Sequence, residues 1–509
     1  MINDKLIPES VLEVLKVLDS HGYRAYMAGE CVWRLITGKN AQDFDIVTDA
    51  EYERIGAMFE RYPTMREDRT SGEILVTLQG AAVLISHFRA DFNPDGTPVY
   101  TESLEEDLAR RDFTFTAMAY VPNLLSQNVT SDGVPITVPG TLYDPWGGKA
   151  SITAAVAETA EPDMANFTTV CAIGEDWAGL SERESAERFS REKAKGQLTP
   201  QLAFRQNPFA ILKCLALFAS GEFLISEQTR TGIYECKRLL SELPDWAVKP
   251  FLDEILLGKK VSAVLEQYSD IFIEIIPELA MLRAYNQKLP GQSYDLMTHT
   301  FRAVGYGSPN LYLRYALLFH SLGMPDCRSF DGAGGGEAHY YGQEARAKIY
   351  AERIVRRLFT VPDEVTFKNH SAADNAVSEI CFIIGMQNTN IGTDRREMKA
   401  AMRTFSADEM RTLLSFRYAD ERARSPDAET SAMFFKRLTD FVNDIVYSKE
   451  CVTYGQLAVT AQDLIMKGLA PDEDHASAMI DWLLDRVVDN PALNNKLRLM
   501  DLAGKAINN

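Results

Sequence analysis

The chain has 509 residues, 46% hydrophobic and 25% charged, a length that predicts about three or four domains with a large core. No run reaches the roughly 18 apolar residues of a membrane span, and the start MINDKLIPES lacks the basic and apolar regions of a signal peptide; seven cysteines without C-x-x-C spacing read as reduced thiols, so a cytoplasmic protein is expected. The formal net charge of -19, from 53 Lys and Arg against 72 Asp and Glu, requires that any nucleic-acid contact rest on locally gathered cations.

Residues 1–150 alternate helix and strand patterns. ESVLEVLKVLDSHG has helical apolar spacing, RAYMAG reads as a strand, and Gly29 opens a turn into a short amphipathic helix. The next strand carries Asp43-Phe44-Asp45. Side chains two apart in a strand share a face, so both carboxylates project together while Phe44 and Ile46 enter the core. Paired carboxylates on rigid backbone suit Mg2+, which takes oxygen ligands and keeps positions for water and phosphate. A strand edge with two solvated aspartates would give the same pattern. A hairpin is predicted over Glu73 to Arg89, followed by SLEEDLARRDFTFTAMAY (Ser103 to Tyr120) and DPWGGK (Asp144 to Lys149).

Residues 151–200 read as an insertion or connector. From about residue 204 strand patterns nearly vanish, and helical periodicity divides the rest into a neck (201–285), a body (286–385) and a body or tail (386–509). Gly332 to Gly336 lacks the Lys-Ser/Thr of a phosphate loop and reads as a flexible turn. Three basic groups stand out: Arg191, Lys193, Lys195, Arg205 and Lys213; Arg346, Lys348, Arg353, Arg356 and Arg357 on one helix; and Arg395, Arg396, Lys399 and Arg403. Each is either a solvated helix face or part of an RNA-binding surface.

Together, the D-x-D strand, ARRDFTFTAMAY, FRQNPFAILKCLALFASGEF (Phe204 to Phe223) and YALLFHSLGMP resemble the class II CCA-adding enzyme and bacterial poly(A) polymerase family over nearly the whole chain. The resemblance implies an α+β protein: an α/β nucleotidyltransferase head with a mixed or antiparallel sheet, then an all-α neck, body and tail. It implies Asp43 and Asp45 as catalytic Mg2+ ligands, and Gly29, Arg110, Arg111, Asp112, Gln206, Asn207 and Lys213 as nucleotide-binding residues for ATP or CTP. Adjacent guanidiniums clamp phosphate oxygens, while Asp112 orients an arginine or accepts from a sugar hydroxyl.

Several positions depart from the family pattern. The usual G-G-x-V-R-D turn is Gly29-Glu30-Cys31-Val32-Trp33-Arg34, which puts a carboxylate near the phosphate unless Glu30 pairs with Arg34. The acidic residue usual on the hairpin's second strand aligns with Leu84, and Thr116 replaces an asparagine. The neck's E-D-x-x-R becomes Gln206, Asn207 and Ala210, with Lys213 one turn later, so nucleotide selection is expected to be loose or tilted towards ATP. A segment similar to an HD-type domain is eroded: His299, His320-Ser321, His339, Gln343 and Asn369-His370-Ser371 replace its ligands, and its histidines are expected to be structural.

The function implied is Mg2+-dependent, template-independent nucleotide addition to the 3′ end of tRNA or a tRNA-like RNA, with release of pyrophosphate. Two alternatives remain open from the sequence: a catalytically weak relative that binds RNA or nucleotide, and a nucleotidyltransferase with a non-RNA acceptor. The altered turn and neck favour the first, and the acidic charge the second.

Overall fold

The computed structural model describes residues 2–41, 43–62, 65–68, 72–78, 81–93, 97–125, 128–154, 168–170, 200–221, 223–330, 338–362 and 370–507. Most of 151–200, including Arg191, Lys193 and Lys195, lies outside the described residues, as do Gly332 to Gly336, Asn369 and the side chains of Gln206, His370 and Ser371. The chain divides into two compact units, Met1–Leu243 and Pro244–Asn509. The division falls inside the segment 201–285 that sequence patterning groups as a neck.

In the first unit, α1 (Glu9–Ser20) buries Val11, Val14, Leu15 and Leu18 completely, as its apolar spacing predicts. The strands β1 (Ala25–Ala28), β2 (Phe44–Thr48), β3 (Met65–Asp68), β4 (Glu73–Leu78), β5 (Ala81–His87), β8 (Ala119–Val121) and β9 (Thr141–Tyr143) form one seven-stranded sheet in the order β3-β4-β5-β2-β1-β8-β9. Only the β2–β5 pair is parallel, so the sheet is mixed. β6 (Arg89–Phe92) and β7 (Pro98–Tyr100) make a separate hairpin.

The predicted hairpin is β4 and β5, with Ile74 facing Ile85 and Val76 facing Val83. All four are fully buried, which pins the register, because a one-residue slip would expose every one of them. The helix α2 (Glu30–Ile36) buries Val32, Trp33 and Leu35 against the sheet, and α3 (Tyr52–Phe59) buries Ile55 and Phe59. α4 (Leu104–Ala109) starts at Ser103, whose hydroxyl accepts from the Glu106 N–H at 3.3 Å. In DPWGGK, Asp144 accepts from the N–H groups of Gly148 and Lys149 and so starts α5 (Gly148–Ala154).

The neck begins with helices Pro200–Gln206 and Phe209–Ser220. A short strand, Phe223–Ile225, follows and pairs in parallel with Thr168–Val170, where periodicity had given almost no strand signal. Phe223 packs against Trp33 of α2 and against Phe115, tying the neck to the head.

The second unit is almost wholly helical. Its longer helices include Asp245–Leu257, Leu296–Tyr306, Gln343–Phe359, Ala407–Arg422, Glu429–Tyr447 and Glu473–Asp489. Buried Arg314 donates to the carbonyls of Leu256, Gly258 and Gly307, satisfying helix ends that would otherwise lie buried without partners. The basic groups of this unit are largely neutralised in place. Arg346 pairs with Asp326, Arg353 and Arg357 with Glu278, Arg356 with Glu352 and Asp374, Arg395 and Lys399 with Glu450, Arg396 with Asp489, and Arg403 with Asp485. These pairs favour the structural reading of both clusters. Among the described residues, no helix is long and apolar enough to cross a membrane.

Candidate active site

Asp43 is exposed just before β2, Asp45 is partly buried within it, and Phe44 and Ile46 between and after them are buried. The alternation matches the strand parity read from the sequence. Asp45 faces Ala28 of β1 on one side and Leu84 of β5 on the other. Leu84 thus stands beside the aspartate, where the family pattern would have a carboxylate.

The register supplies another. Glu73 on β4 faces Ser86, which faces Val47 on β2, so Glu73 shares the sheet face of Asp43 and Asp45. Sequence reasoning missed it, because its parity relative to Asp45 is fixed only by two successive strand pairings. Its carboxylate meets Arg89 at 2.9 Å. Burial raises the Asp45 carboxyl above its usual range; Arg111 and Arg89 oppose the shift, and the Glu73 and Asp43 charges add to it. Cys31, at the start of α2, is buried near Asp45, and its thiol is pushed up to about 12, chiefly by burial.

Gly29 connects this carboxylate face to the arginines. Its φ of +83° and ψ of -135° lie where essentially only glycine goes, and a Cβ there would stand 2.5 Å from Arg111 Nη1 and 3.6 Å from Asp45 Oδ2. The missing side chain is the space the guanidinium occupies. Glu30 pairs with Arg34 at 2.7 Å on the exposed side of α2, which keeps its carboxylate in an ion pair one turn along the helix.

The arginine fork is organised by a residue outside the motif. Asp107 is fully buried; its Oδ1 accepts from the Arg89 backbone N–H at 3.0 Å and from Arg110 Nε at 3.3 Å, and its Oδ2 lies 3.6 Å from Arg111 Nη2. Burial lowers Arg110 to about 10, assisted by the charges of Arg111 and Arg89 and opposed by Asp107. Asp112 accepts from Asn207 Nδ2 at 2.9 Å and from Lys213 Nζ at 2.6 Å. Ala210, the position aligned with the family arginine, is 1% exposed and faces the core. Thr116 donates to the Phe113 carbonyl at 2.9 Å within the turn that follows the fork.

In the second unit, His299 and His320 do come together, on a partner the sequence did not reveal. Asp420 Oδ1 lies 2.9 Å from His299 Nε2 and 3.1 Å from His320 Nε2, and the three donor atoms fall within 4.8 Å of one another. Although burial pushes the Asp420 carboxyl up, bonds from both histidines hold it well below the usual carboxylate range. Ser321, where an HD pair has aspartate, bonds His320 Nε2 at 2.9 Å. His339 instead stacks on Tyr341, and Gln343 begins a helix. One carboxylate with two imidazoles does not bridge a metal pair, so with Ni2+ or Mn2+ the protein is expected to show no phosphatase activity on 2′,3′-cyclic or 3′-phosphates. Hydrolysis that disappears in His320→Ala would contradict this.

An aspartate on β2 and another just before it thus lie on a mixed sheet with a glycine turn and an arginine fork close by, and a helical neck follows. Residues 25–156 match the family model of the poly(A) polymerase head domain. The chain is 24% identical over 328 residues to the CCA-adding enzyme of Geobacillus kaustophilus (strain HTA426), and 30% identical over 330 residues to that of Geobacillus thermodenitrificans (strain NG80-2). Each match covers 63% of this chain and 65% of the relative, so it spans just under two thirds of the length of those relatives. Its fold is similar to that of the Bacillus stearothermophilus CCA-adding enzyme in complex with CTP (TM-score 0.57, 19% identity, covering 98% of this chain and 97% of that one). It is also similar to the Thermotoga maritima CCA-adding enzyme complexed with tRNA (TM-score 0.55, 13% identity, covering 100% and 99%). The head thus matches the poly(A) polymerase head domain family, and the chain as a whole is similar in sequence and fold to CCA-adding enzymes.

Proposed function

We propose that the protein is a template-independent nucleotidyltransferase that adds nucleotides from CTP or ATP to the 3′ end of tRNA or a tRNA-like RNA, with release of pyrophosphate. The observation that carries this reading is the Arg111 guanidinium seated on Gly29, with Asp45 3.6 Å from the same point. A triphosphate approaching the bare backbone of that turn would meet a cation on one side and the carboxylate face on the other.

The carboxylates fit Mg2+: burial together with the charges of Glu73 and Asp43 disfavours the ionised Asp45, and a divalent cation relieves that strain. Bound between Asp43 and Asp45, Mg2+ would supply Lewis-acid polarisation of the α-phosphate. Arg110 and Arg111 would hold the β- and γ-phosphates, and Asp107 would keep the two guanidiniums in place. Glu73, held to Arg89, sets the charge on the far side of the carboxylate face. The relatives named as CCA-adding enzymes, and the similar folds complexed with CTP or tRNA, support the choice of substrates.

The test supplies purified protein with labelled CTP or ATP, Mg2+ and tRNA lacking its 3′ terminal nucleotides, with total RNA and an RNA-free mixture alongside. Labelled tRNA is the expected product. Label on protein or a small molecule, or none on any acceptor, would overturn the reading.

A further inference from the structure

The basic groups singled out in the second unit are largely spent on carboxylates, whereas a group that sequence patterning passed over is not. Lys259 and Lys260 join helix Asp245–Leu257 to helix Val261–Gln267, which packs on helix Leu296–Tyr306. The last two helices approach closely at Gly305, where a Cβ would stand 2.6 Å from Ser262 Cβ. At this crossing lies a cleft of about 490 Å3, whose lining includes Lys259, Lys260, Ser262, Glu266, Arg302 and Tyr306. Three of its lining residues are cationic and Glu266 alone is anionic, in a chain of net charge -19.

That carboxylate is already engaged: Glu266 Oε1 accepts from Ser262 Oγ at 2.7 Å, and Oε2 lies 3.5 Å from Arg302 Nη2. Arg302 also donates to the Tyr294 hydroxyl at 2.7 Å and lies 4.0 Å from the centre of that ring, so its plane is held in place. Its Nε–H is buried without a partner. Among the described residues Lys259 makes no ion pair. Buried Arg314 adds a further cation, since among the described residues it bonds the carbonyls of Leu256, Gly258 and Gly307 and no carboxylate. Gly258 precedes Lys259 and Gly307 follows Tyr306, so this guanidinium ties together the ends of the two segments that wall the cleft.

We propose that this cleft is a binding site for phosphate oxygens, supplied either by an RNA backbone or by a free phosphate-bearing small molecule. The inference goes beyond the transferase reading and uses no part of the head. Ammonium and guanidinium groups are donors only, and a phosphate at neutral pH offers acceptor oxygens in several directions at once. A lone carboxylate, with one charge and two oxygens, would be satisfied by Arg302 and would leave both lysines unanswered. The volume lies within the ordinary range of small-ligand sites, so a phosphate fits together with the sugar attached to it. Tyr306, 37% exposed, offers its ring to that sugar or its base.

The test titrates the full-length protein and two variants, the double substitution Lys259→Gln with Lys260→Gln and the single Glu266→Gln. One arm uses inorganic phosphate, the other tRNA lacking its 3′ terminal nucleotides, between about 50 and 200 mM salt. The double variant is expected to bind about tenfold more weakly, with a salt slope in the RNA arm shallower by about one to two. Glu266→Gln keeps an acceptor for Ser262 while removing the negative charge, and is expected to bind about threefold more tightly. Opposite signs from the two variants are not what a merely structural cluster would give. Effects confined to the RNA arm make the backbone the source, effects confined to inorganic phosphate make it a small molecule, and effects in both show a cleft that takes either. Affinities of both variants within about twofold of the unmodified protein in both arms, or a weaker Glu266→Gln, would overturn the assignment. If the double variant melts more than about 2 °C lower, Glu266→Gln alone decides. Incorporation of labelled CTP or ATP is read separately, so unchanged titrations overturn the cleft and leave the transferase reading standing.

Discussion

Replacing Asp45 with asparagine is expected to lower nucleotide incorporation by about three orders of magnitude while leaving the melting temperature unchanged or slightly raised. The loss follows from removing half of a carboxylate pair from the proposed cation site: Lewis-acid stabilisation of several kcal/mol is at stake, and about 4 kcal/mol corresponds to about a thousandfold. The effect on stability has the opposite sign. Burial raises the Asp45 carboxyl in the folded protein, so its ionised form opposes folding at pH values above the ordinary carboxylate range, and a neutral amide of the same size removes that opposition. Asp43→Ala should lose activity in the same way with little change in melting, since Asp43 is exposed. Single-turnover incorporation and thermal melting with and without Mg2+ decide the matter. Activity within tenfold of the unmodified protein in the double variant would remove these aspartates from the site.

The second large effect is expected at Asp107, which touches no substrate in the proposed mechanism. It is fully buried between Arg110 and Arg111, whose side chains are 18% and 12% exposed, and it also accepts from the Arg89 backbone N–H. Asp107→Ala removes the negative charge from between two mutually repelling guanidiniums and leaves a buried N–H without its acceptor. Breaking such a buried arrangement costs about 3–5 kcal/mol. For a unit of this size that is a fall of roughly 6–15 °C in melting temperature. Asp107→Asn keeps an acceptor for the Arg89 N–H and should recover part of the stability, yet still raise KM for the triphosphate because the fork is no longer neutralised. An alanine variant that melts within about 2 °C of the unmodified protein would show that Asp107 does not organise the fork.

Local spacing made much of the head legible. The D-x-D parity, the alternating hairpin and the Glu30–Arg34 pair each depend on residues close in sequence, where a period of 2 or of 3.6 determines which side chains are neighbours. Helical periodicity likewise announced the long helices of the second unit. It could not show that their arginines are mostly spent on carboxylates from other helices, because those partners lie as far apart in sequence as Arg353 and Glu278 or Arg403 and Asp485.

The contacts that sequence did not reveal share one property. Glu73 joins the Asp45 face only through two strand registers, and Asp420 reaches His299 and His320 across 121 and 100 residues. Asp107, from within α4, pairs with both arginines, a role the sequence did not reveal, and Asp112 meets Asn207 and Lys213, 95 and 101 residues away. What the sequence determined by itself was the central strands of the head, including the one that carries Asp45, and the long helices of the second unit, since backbone period and burial act over a few residues. Which carboxylate meets which cation was decided only by the tertiary structure, because a charged side chain takes the partner that packing brings within about 4 Å, and chain order carries no record of that distance.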